Sequence, residues 1–149
     1  MTKTQQQKIG KLGEDMAVKY LKKKGYKILE RNYRADKFGE IDIIACCKKP
    51  DSTLFQPSKI LVFVEVKTKT DQSFGLPEQE LTYQKKKRLS RAIQNYLFKK
   101  YLTDEDWRLD LIAIEILEDK VYPVKSAKGG VAKPQFNRAS IRHYENIPL

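Results

Sequence analysis

Histidine and cysteine are scarce in this chain of 149 residues, which contains one histidine and two cysteines. His143 stands near the end of the sequence, so a Ser-His-Asp or Cys-His mechanism has little to build on. Cys46 and Cys47 are adjacent, and adjacent cysteines rarely pair with each other or provide the CxxC spacing of a zinc site. We interpret both as small apolar residues on a strand, with a redox or metal role as the alternative.

Long apolar runs and glycine-rich loops are also missing. No stretch approaches the roughly 20 apolar residues of a membrane-spanning helix. The opening segment MTKTQQQKIGKLGED has no apolar core of a secretory signal, and the lack of a glycine-rich phosphate loop disfavours an ATPase. We expect a cytoplasmic protein with no membrane partner, and the length suits one domain over residues 1–149.

Positive charge is what the chain has in excess, since 30 lysines and arginines stand against 19 acids and give a net charge of +11. A polyanionic partner would account for this excess. The alternative is a solvated basic surface that serves only solubility. The charge therefore favours a nucleic-acid partner, and DNA, RNA and ribosomal RNA are all compatible with it.

The spacing of apolar residues predicts an α/β fold. Helices are expected over 8–24 and 80–102, and strands over 26–34, 39–47, 59–69, 107–117 and, in the tail, about 138–145. Loops are expected at 48–58, 71–79 and 126–135, with a candidate short strand at 121–124. The second and third strands should form a hairpin, and the long helix should return the chain to a parallel strand, giving a mixed sheet with helices on both faces.

Two of these strands place charges on faces that also carry apolar side chains. Because side chains alternate along a strand, the predicted charged faces are Glu40, Asp42 and Ile44 on the second strand, and Phe63, Glu65 and Lys67 on the third. The opposite face of the second strand would carry Ile41, Ile43 and Ala45.

Such charges need an explanation, because burying an unpaired charge costs several kcal/mol. A divalent cation would offset this cost, since hard cations bind carboxylate oxygens. The alternative is a salt bridge between Glu65 and Lys67, or solvation at the strand ends. That alternative explains one pair and leaves the second acidic strand unexplained.

Charged residues on the helices add further candidates. Glu14 falls at the edge of the apolar side of the first helix and would point at or near the sheet. The alternative is a first-turn glutamate favoured by the helix dipole. Lys85, Lys86 and Arg88 near the start of the second helix are candidate phosphate contacts, with a solvated basic face as the alternative. For Arg108 and Asp110, which share a strand face, an ion pair and a functional role are both open.

Several sequence blocks together resemble the YraN-like family of bacterial proteins, within the PD-(D/E)XK nuclease superfamily. They are GKLGEDMAVKYL (10–21), GYKILERNYR (25–34), FGEIDIIA (38–45), FVEVKTK (63–69), FG (74–75), the lysine at 85 and RLDLIAI (108–114). The resemblance implies the restriction-endonuclease-like fold with an αβββαβ core, and a likeness to archaeal Holliday-junction resolvases. Resolvase-like relatives act as dimers, so a homodimer is suggested by analogy only.

The resemblance also implies a set of site roles. Asp42 and Glu65 would hold Mg²⁺ or Mn²⁺, Lys67 would lie beside the attacking water, and Glu14 would be an additional acid from the helix. The Val66 carbonyl is a further expected metal ligand. Glu40 and Lys85 match further family positions, and Lys69 stands where an arginine is usual, which keeps the charge. Segments 48–58 and 126–135 are longer than usual in the family.

The sequence thus predicts a metal-dependent endonuclease that hydrolyses phosphodiester bonds, with DNA favoured over RNA. A non-catalytic nucleic-acid-binding module of the same fold is one alternative. Another is an adaptor whose basic face meets an acidic protein, which predicts neither metal dependence nor salt-sensitive DNA binding.

Overall fold

Five strands form one mixed sheet, with a long helix on each face, in the computed structural model, which describes residues 2–70, 81–117 and 138–149. The elements in chain order are α1 (Lys3–Lys23), β1 (Lys27–Arg34), a short 3-10 helix (Asp36–Phe38), β2 (Glu40–Lys48), β3 (Lys59–Lys69), α2 (Tyr83–Lys99), β4 (Trp107–Leu117) and β5 (Arg138–Tyr144). The strand order is β1-β2-β3-β4-β5, with β3 and β4 parallel and every other neighbouring pair antiparallel. The predicted α/β class is confirmed, and the arrangement is compatible with the restriction-endonuclease-like fold.

The helix ends differ from the predicted ones because capping, rather than apolar spacing, fixes them. α1 begins at Lys3 because the Thr2 hydroxyl accepts from the Gln5 backbone N–H while the Gln5 side chain accepts from the Thr2 N–H. α1 ends just before Gly25, whose φ of +88° suits glycine at a helix end. α2 begins at Tyr83, after Thr82, whose hydroxyl accepts from the Lys85 N–H.

Some predictions fall where the structure gives no description. The loop at 71–79, the candidate strand at 121–124 and the basic loop at 126–135 lie outside the described residues. Among the helices that are described, none has the length and apolarity needed to cross a lipid bilayer.

The sheet is covered on both faces by two separate apolar clusters. The α1-side cluster joins Ala17, Val18 and Leu21 to alternate residues of the central strands, such as Val62 and Val64. The α2-side cluster joins residues of α2 to the other face of the same strands, including Phe63, Leu109 and Leu111. The unbroken apolar run of β3 is therefore explained by a strand covered on both faces. Cys46 and Cys47 are half-buried free thiols on β2.

The alternation predicted for β2 is wrong at Ile41. Ile41 packs in the α2-side cluster together with Ile44, whereas Ile43 packs in the α1-side cluster. Pairing between β2 and β3 extends only as far as Ile43 opposite Val64, and Asn32 of the neighbouring β1 has a left-handed φ of +49°. The first residues of β2 therefore depart from the regular alternation of side chains, and β2 separates from β3 before Ile43.

A close contact holds α1 against the end of β3 beside this divergence. A Cβ atom built on Gly13 would lie 1.7 Å from Thr68 Oγ1 and 2.7 Å from Thr68 Cβ, whereas one built on Gly10 would meet nothing within 4 Å. We expect Gly13→Ala to lower the free energy of unfolding by about 1–3 kcal/mol, because the helix must move off the strand. Urea denaturation checks this against Gly10→Ala, which should be neutral or up to about 1 kcal/mol stabilising. Equal stabilities for the two variants would contradict the close approach.

Candidate active site

Asp42 occupies the gap where β2 and β3 separate. Its side chain is partly buried, and Oδ2 accepts a hydrogen bond of 2.7 Å from the backbone N–H of Val66 on β3. A carboxylate therefore bridges the two strands at the point where their own pairing ends. The contact places Asp42 next to the segment that carries Glu65 and Lys67.

Glu65 is the most deeply buried carboxylate of this site, with 2% of the residue exposed. Its Oε1 lies 3.1 Å from Lys67 Nζ and 3.2 Å from Lys85 Nζ of α2. Its Oε2 is buried and has no hydrogen-bond partner among the described residues. The Glu65–Lys67 salt bridge considered as an alternative is thus present, but it is shared with Lys85 and satisfies only one of the two oxygens.

Burial and the neighbouring Glu65 carboxylate change the ionisation of Asp42. The pKa of Asp42 is raised to about 7, mainly by burial and then by the negative charge of Glu65, while the Val66 N–H acts in the opposite direction. Smaller contributions come from Glu14, which raises the pKa, and Lys85, which lowers it. Near neutral pH the site therefore concentrates negative charge at a cost that a bound cation would relieve.

The raised pKa of Asp42 predicts a pH dependence of stability. An aspartate in an unfolded chain has a pKa of about 4, so the folded state binds this proton more tightly than the unfolded one. The contribution is present in full below pH about 4 and is lost as the pH rises through about 7. Each unit of pKa difference is worth about 1.4 kcal/mol, so the loss should amount to a few kcal/mol.

Urea denaturation of wild type and Asp42→Asn between pH 4 and pH 8 measures this loss, because the neutral amide removes the titration while leaving an oxygen for the Val66 N–H. The stability of wild type relative to the variant should fall across this range. Parallel curves for the two proteins would contradict the assignment.

The donor atoms at the site suit a hard divalent cation. The unpartnered Glu65 Oε2 and the carboxylate of Asp42 lie in the same region of the sheet as the backbone of Val66. Within the described residues no group of three or more His, Cys, Asp or Glu side chains could hold a metal ion. A cation here would thus be held by two carboxylates, backbone, water and substrate, which is the usual situation of Mg²⁺ at phosphate-processing sites. The residues present fit the expected ion.

Glu14 lies near this pair but is engaged elsewhere. Its Oε2 accepts a hydrogen bond of 2.9 Å from the Asn32 side-chain amide and lies 3.9 Å from the guanidinium of Arg31. Arg31 also pairs with Asp15 at 2.7 Å. Glu14 therefore points at the sheet, towards β1, and acts on Asp42 through its negative charge, which raises the pKa of Asp42.

The remaining candidates lie around the rim of the site. Glu40 is half-buried and lies 3.7 Å from Arg34 of β1. Lys86 is half-buried and Arg88 is exposed, and neither forms an ion pair with another described residue. Of the three basic candidates on α2, Lys85 is the one whose ammonium group contacts Glu65 in the described part of the chain.

A second buried polar network lies on the α1 side of the sheet. The sequence indicated only two of its members, Arg108 and Asp110. Asp110 is fully buried and is bound by Arg108 at 3.0 Å, by His143 Nε2 at 2.9 Å and by the backbone N–H of Asn146 at 2.9 Å. Arg108 also donates to the Tyr26 hydroxyl at 2.8 Å. The Arg108–Asp110 ion pair is therefore present, and the single histidine belongs to this network instead of the Glu65 site.

Comparison with known proteins places the chain among bacterial relatives. The family model described as uncharacterised protein family UPF0102 matches residues 13–114. The UPF0102 protein of Alkaliphilus oremlandii is 42% identical over 115 residues, which cover 76% of this chain and 89% of that relative. The UPF0102 protein of Carboxydothermus hydrogenoformans is 35% identical over 139 residues, which cover 93% of each chain.

The matched segment contains every candidate residue of the site, from Glu14 on α1 to Lys85 and Arg88 on α2, and it ends before β5. The resemblance to the YraN-like family is thereby confirmed. The chain belongs to the uncharacterised protein family UPF0102.

Proposed function

We propose that this protein is a divalent-metal-dependent endonuclease that hydrolyses phosphodiester bonds of nucleic acid, with DNA as the expected substrate. The observation that supports this most directly is the buried Glu65, which has one oxygen shared by two lysines and the other without a hydrogen-bond partner among the described residues. An unsatisfied buried oxygen costs about 1–3 kcal/mol or more when charged. A purely structural ion pair does not explain why this oxygen is left unpartnered. A cation site does, because a bound cation would offset the free energy cost.

The proposed reaction is attack of water on phosphorus, with cleavage of one P–O ester bond and departure of the leaving alcohol after it takes up a proton. Bound Mg²⁺ would supply Lewis-acid activation of the phosphoryl group and of the water. Lys67, whose ammonium group lies beside Glu65 Oε1, stabilises the negative charge that develops on the phosphoryl oxygens. Lys85 contacts the same oxygen from α2 and holds the Glu65 carboxylate in its orientation.

Basic residues beside the site supply the affinity in this proposal. Lys86 and Arg88 continue the positive charge of Lys85 along the start of α2. Together with the net charge of +11, they would contact phosphates without reading base sequence. Any selectivity would then come from the shape of the nucleic acid.

The decisive experiment incubates the protein with supercoiled, linear, single-stranded and branched DNA, and with RNA, in Mg²⁺, Mn²⁺ or EDTA. Cleavage that requires the metal and is lost in Glu65→Gln supports the proposal, and the substrate that is cut decides between DNA and RNA. Salt-dependent binding without cutting of any substrate would favour the non-catalytic binding module. Neither binding nor cutting would favour an adaptor that meets an acidic protein.

Metal binding can be measured without a substrate. Addition of Mg²⁺ or Mn²⁺ should raise the melting temperature of wild type at pH 7.5, where Asp42 is largely ionised, and much less at pH 5. Asp42→Asn should show little response at either pH. An equal response in the variant would place the bound cation elsewhere. The homodimer stays a prediction, which light scattering of the free protein tests.

A further inference from the structure

A row of three residues crosses the sheet from the candidate active site to its edge. Lys67 of β3 lies opposite Ala113 of β4, and Ala113 lies opposite Arg142 of β5. Side chains of directly paired residues project from the same face of a sheet. Since Lys67 contacts Glu65 and Lys85 on the α2 side, Arg142 projects to this side as well.

The neighbours of Arg142 on β5 confirm its orientation. Ile141 packs against the α1-side cluster, and Tyr144, two residues beyond Arg142, packs against the α2-side cluster. By the alternation of a strand, Arg142 lies on the same face as Tyr144. The guanidinium is therefore on the face of the sheet where Glu65 and Lys67 form the candidate site.

The exposure of the row suits an extended anionic ligand. Arg142 is exposed and forms no ion pair with any of the described residues, and about one third of the Lys67 side chain is exposed. Ala113 separates the two without a long side chain of its own. Neighbouring strands lie about 4.8 Å apart, so the backbones at Lys67 and Arg142 are separated by about 10 Å. Two long basic side chains at that separation can reach neighbouring phosphates of one strand.

The neighbouring row of paired residues on this face carries an acidic side chain at its centre. Lys69, Glu115 and Ser140 lie opposite one another on the same face, one step further along the strands. The Glu115 carboxylate at the centre of that row opposes a phosphate there. Positive charge without an intervening acid therefore continues across the strands, from Lys67 towards Arg142.

We propose that Arg142 binds the sugar–phosphate backbone of the nucleic acid, as the outer end of a phosphate-contact row that begins at Lys67. This inference rests on the proposed function, and it adds a contact from β5, which lies beyond the segment matched by the family model. A competing explanation is that β5 is an edge strand, where charged side chains hinder pairing with other chains. That explanation gives Arg142 no part in nucleic-acid binding.

Fluorescence anisotropy of a labelled DNA duplex in EDTA, over a series of NaCl concentrations, separates the two. EDTA prevents cleavage, so only binding is measured. The logarithm of the association constant falls linearly with the logarithm of the salt concentration. Loss of one phosphate contact should make this slope less steep by about 0.9. Arg142→Gln should show this reduction together with a loss of affinity, while Arg142→Lys keeps the charge and should keep most of the slope.

Lys59→Gln is the matched control, because it also removes one exposed positive charge but lies at the opposite end of β3, paired with Lys48. Its slope should equal that of wild type. Melting temperatures of all variants should stay close to wild type, since Arg142 and Lys59 are exposed. Arg142→Gln behaving like Lys59→Gln, in a protein whose wild type binds and cuts, would overturn the Arg142 assignment alone. Absence of salt-dependent binding by wild type would overturn the proposed function and this inference together.

Discussion

Replacement of Glu65 by glutamine is expected to reduce metal-dependent cleavage by at least about 1000-fold. A bound metal ion lowers the activation barrier by several kcal/mol, and each 1.4 kcal/mol is about tenfold in rate. Glutamine has nearly the shape of glutamate but lacks the charge that holds a cation. It also leaves the ammonium groups of Lys67 and Lys85 beside a neutral amide. Single-turnover cleavage of the preferred substrate, measured over a range of Mg²⁺ concentrations, gives the rate.

Two companion variants show whether that loss comes from the site. Glu30→Gln removes a glutamate of β1 that lies 3.8 Å from Lys100 at the surface, and it should cut at the wild-type rate. Lys67→Gln removes the charge stabiliser without removing a metal ligand, so a loss of about 100-fold with an unchanged Mg²⁺ requirement is expected. If Glu65→Gln retained the activity of Glu30→Gln, the cleavage would have to be assigned to another site or to a contaminant.

The reason to expect a charge effect and not a collapse of the fold lies in the surroundings of Glu65. Phe63, two residues earlier on the same face, is fully buried in the α2-side cluster and holds β3 in place independently of the carboxylate. Lys67 and Lys85 are each about one third exposed and can turn towards water when the carboxylate is lost. Circular dichroism and thermal unfolding of the variant should therefore show a folded protein.

The contact between Glu65 and Lys67 was predictable from the sequence because it depends on the two-residue period of strands. That period places Phe63, Glu65 and Lys67 on one face whatever the rest of the chain does. The apolar run of β3 likewise predicts a central strand covered on both faces. A hairpin between β2 and β3 then brings Asp42 to the same region of the sheet.

Features that depend on where strand pairing ends, or on how the helices begin and pack, could not be predicted from the spacing of apolar residues. Ile41 is on the α2 side because β2 leaves β3 after the pair of Ile43 with Val64, and nothing in the apolar pattern marks that point. The early start of α1 follows from the capping box of Thr2 and Gln5, a sequence pattern that hydrophobic spacing alone does not include. The contact between Lys85 and Glu65 depends on how α2 lies against the sheet.

The Asp110 network shows the same limit for long-range partners. The sequence places Arg108 and Asp110 on one strand face, but His143 reaches Asp110 from 33 residues away through the pairing of β4 with β5. Tyr26 reaches Arg108 from 82 residues away. The contacts of Asp110 with His143 and Asn146, which hold the described C-terminal residues against the sheet, depend on the tertiary structure.

Replacement of Asp110 by alanine is expected to lower the free energy of unfolding by about 3–5 kcal/mol, as is typical when one member of a buried charge network is removed. Asp110 is fully buried, and its loss leaves Arg108 and His143 without their shared anion and the Asn146 N–H without its acceptor. Urea denaturation measures the change. Asp36→Ala, which breaks an exposed pair with Lys99, is the control and should show no comparable loss.

The same variant should also affect nucleic-acid binding, because the network holds β5 from the face opposite Arg142. His143 follows Arg142 directly and is fixed to Asp110 at 2.9 Å. Loosening of this contact should let β5 shift and so reduce the salt dependence of DNA binding in the direction expected for Arg142→Gln, even at temperatures where Asp110→Ala is fully folded. A variant that lost less than about 1 kcal/mol of stability would show that the network does not secure β5. A large loss of stability with an unchanged salt slope would instead show that β5 keeps Arg142 in place without it.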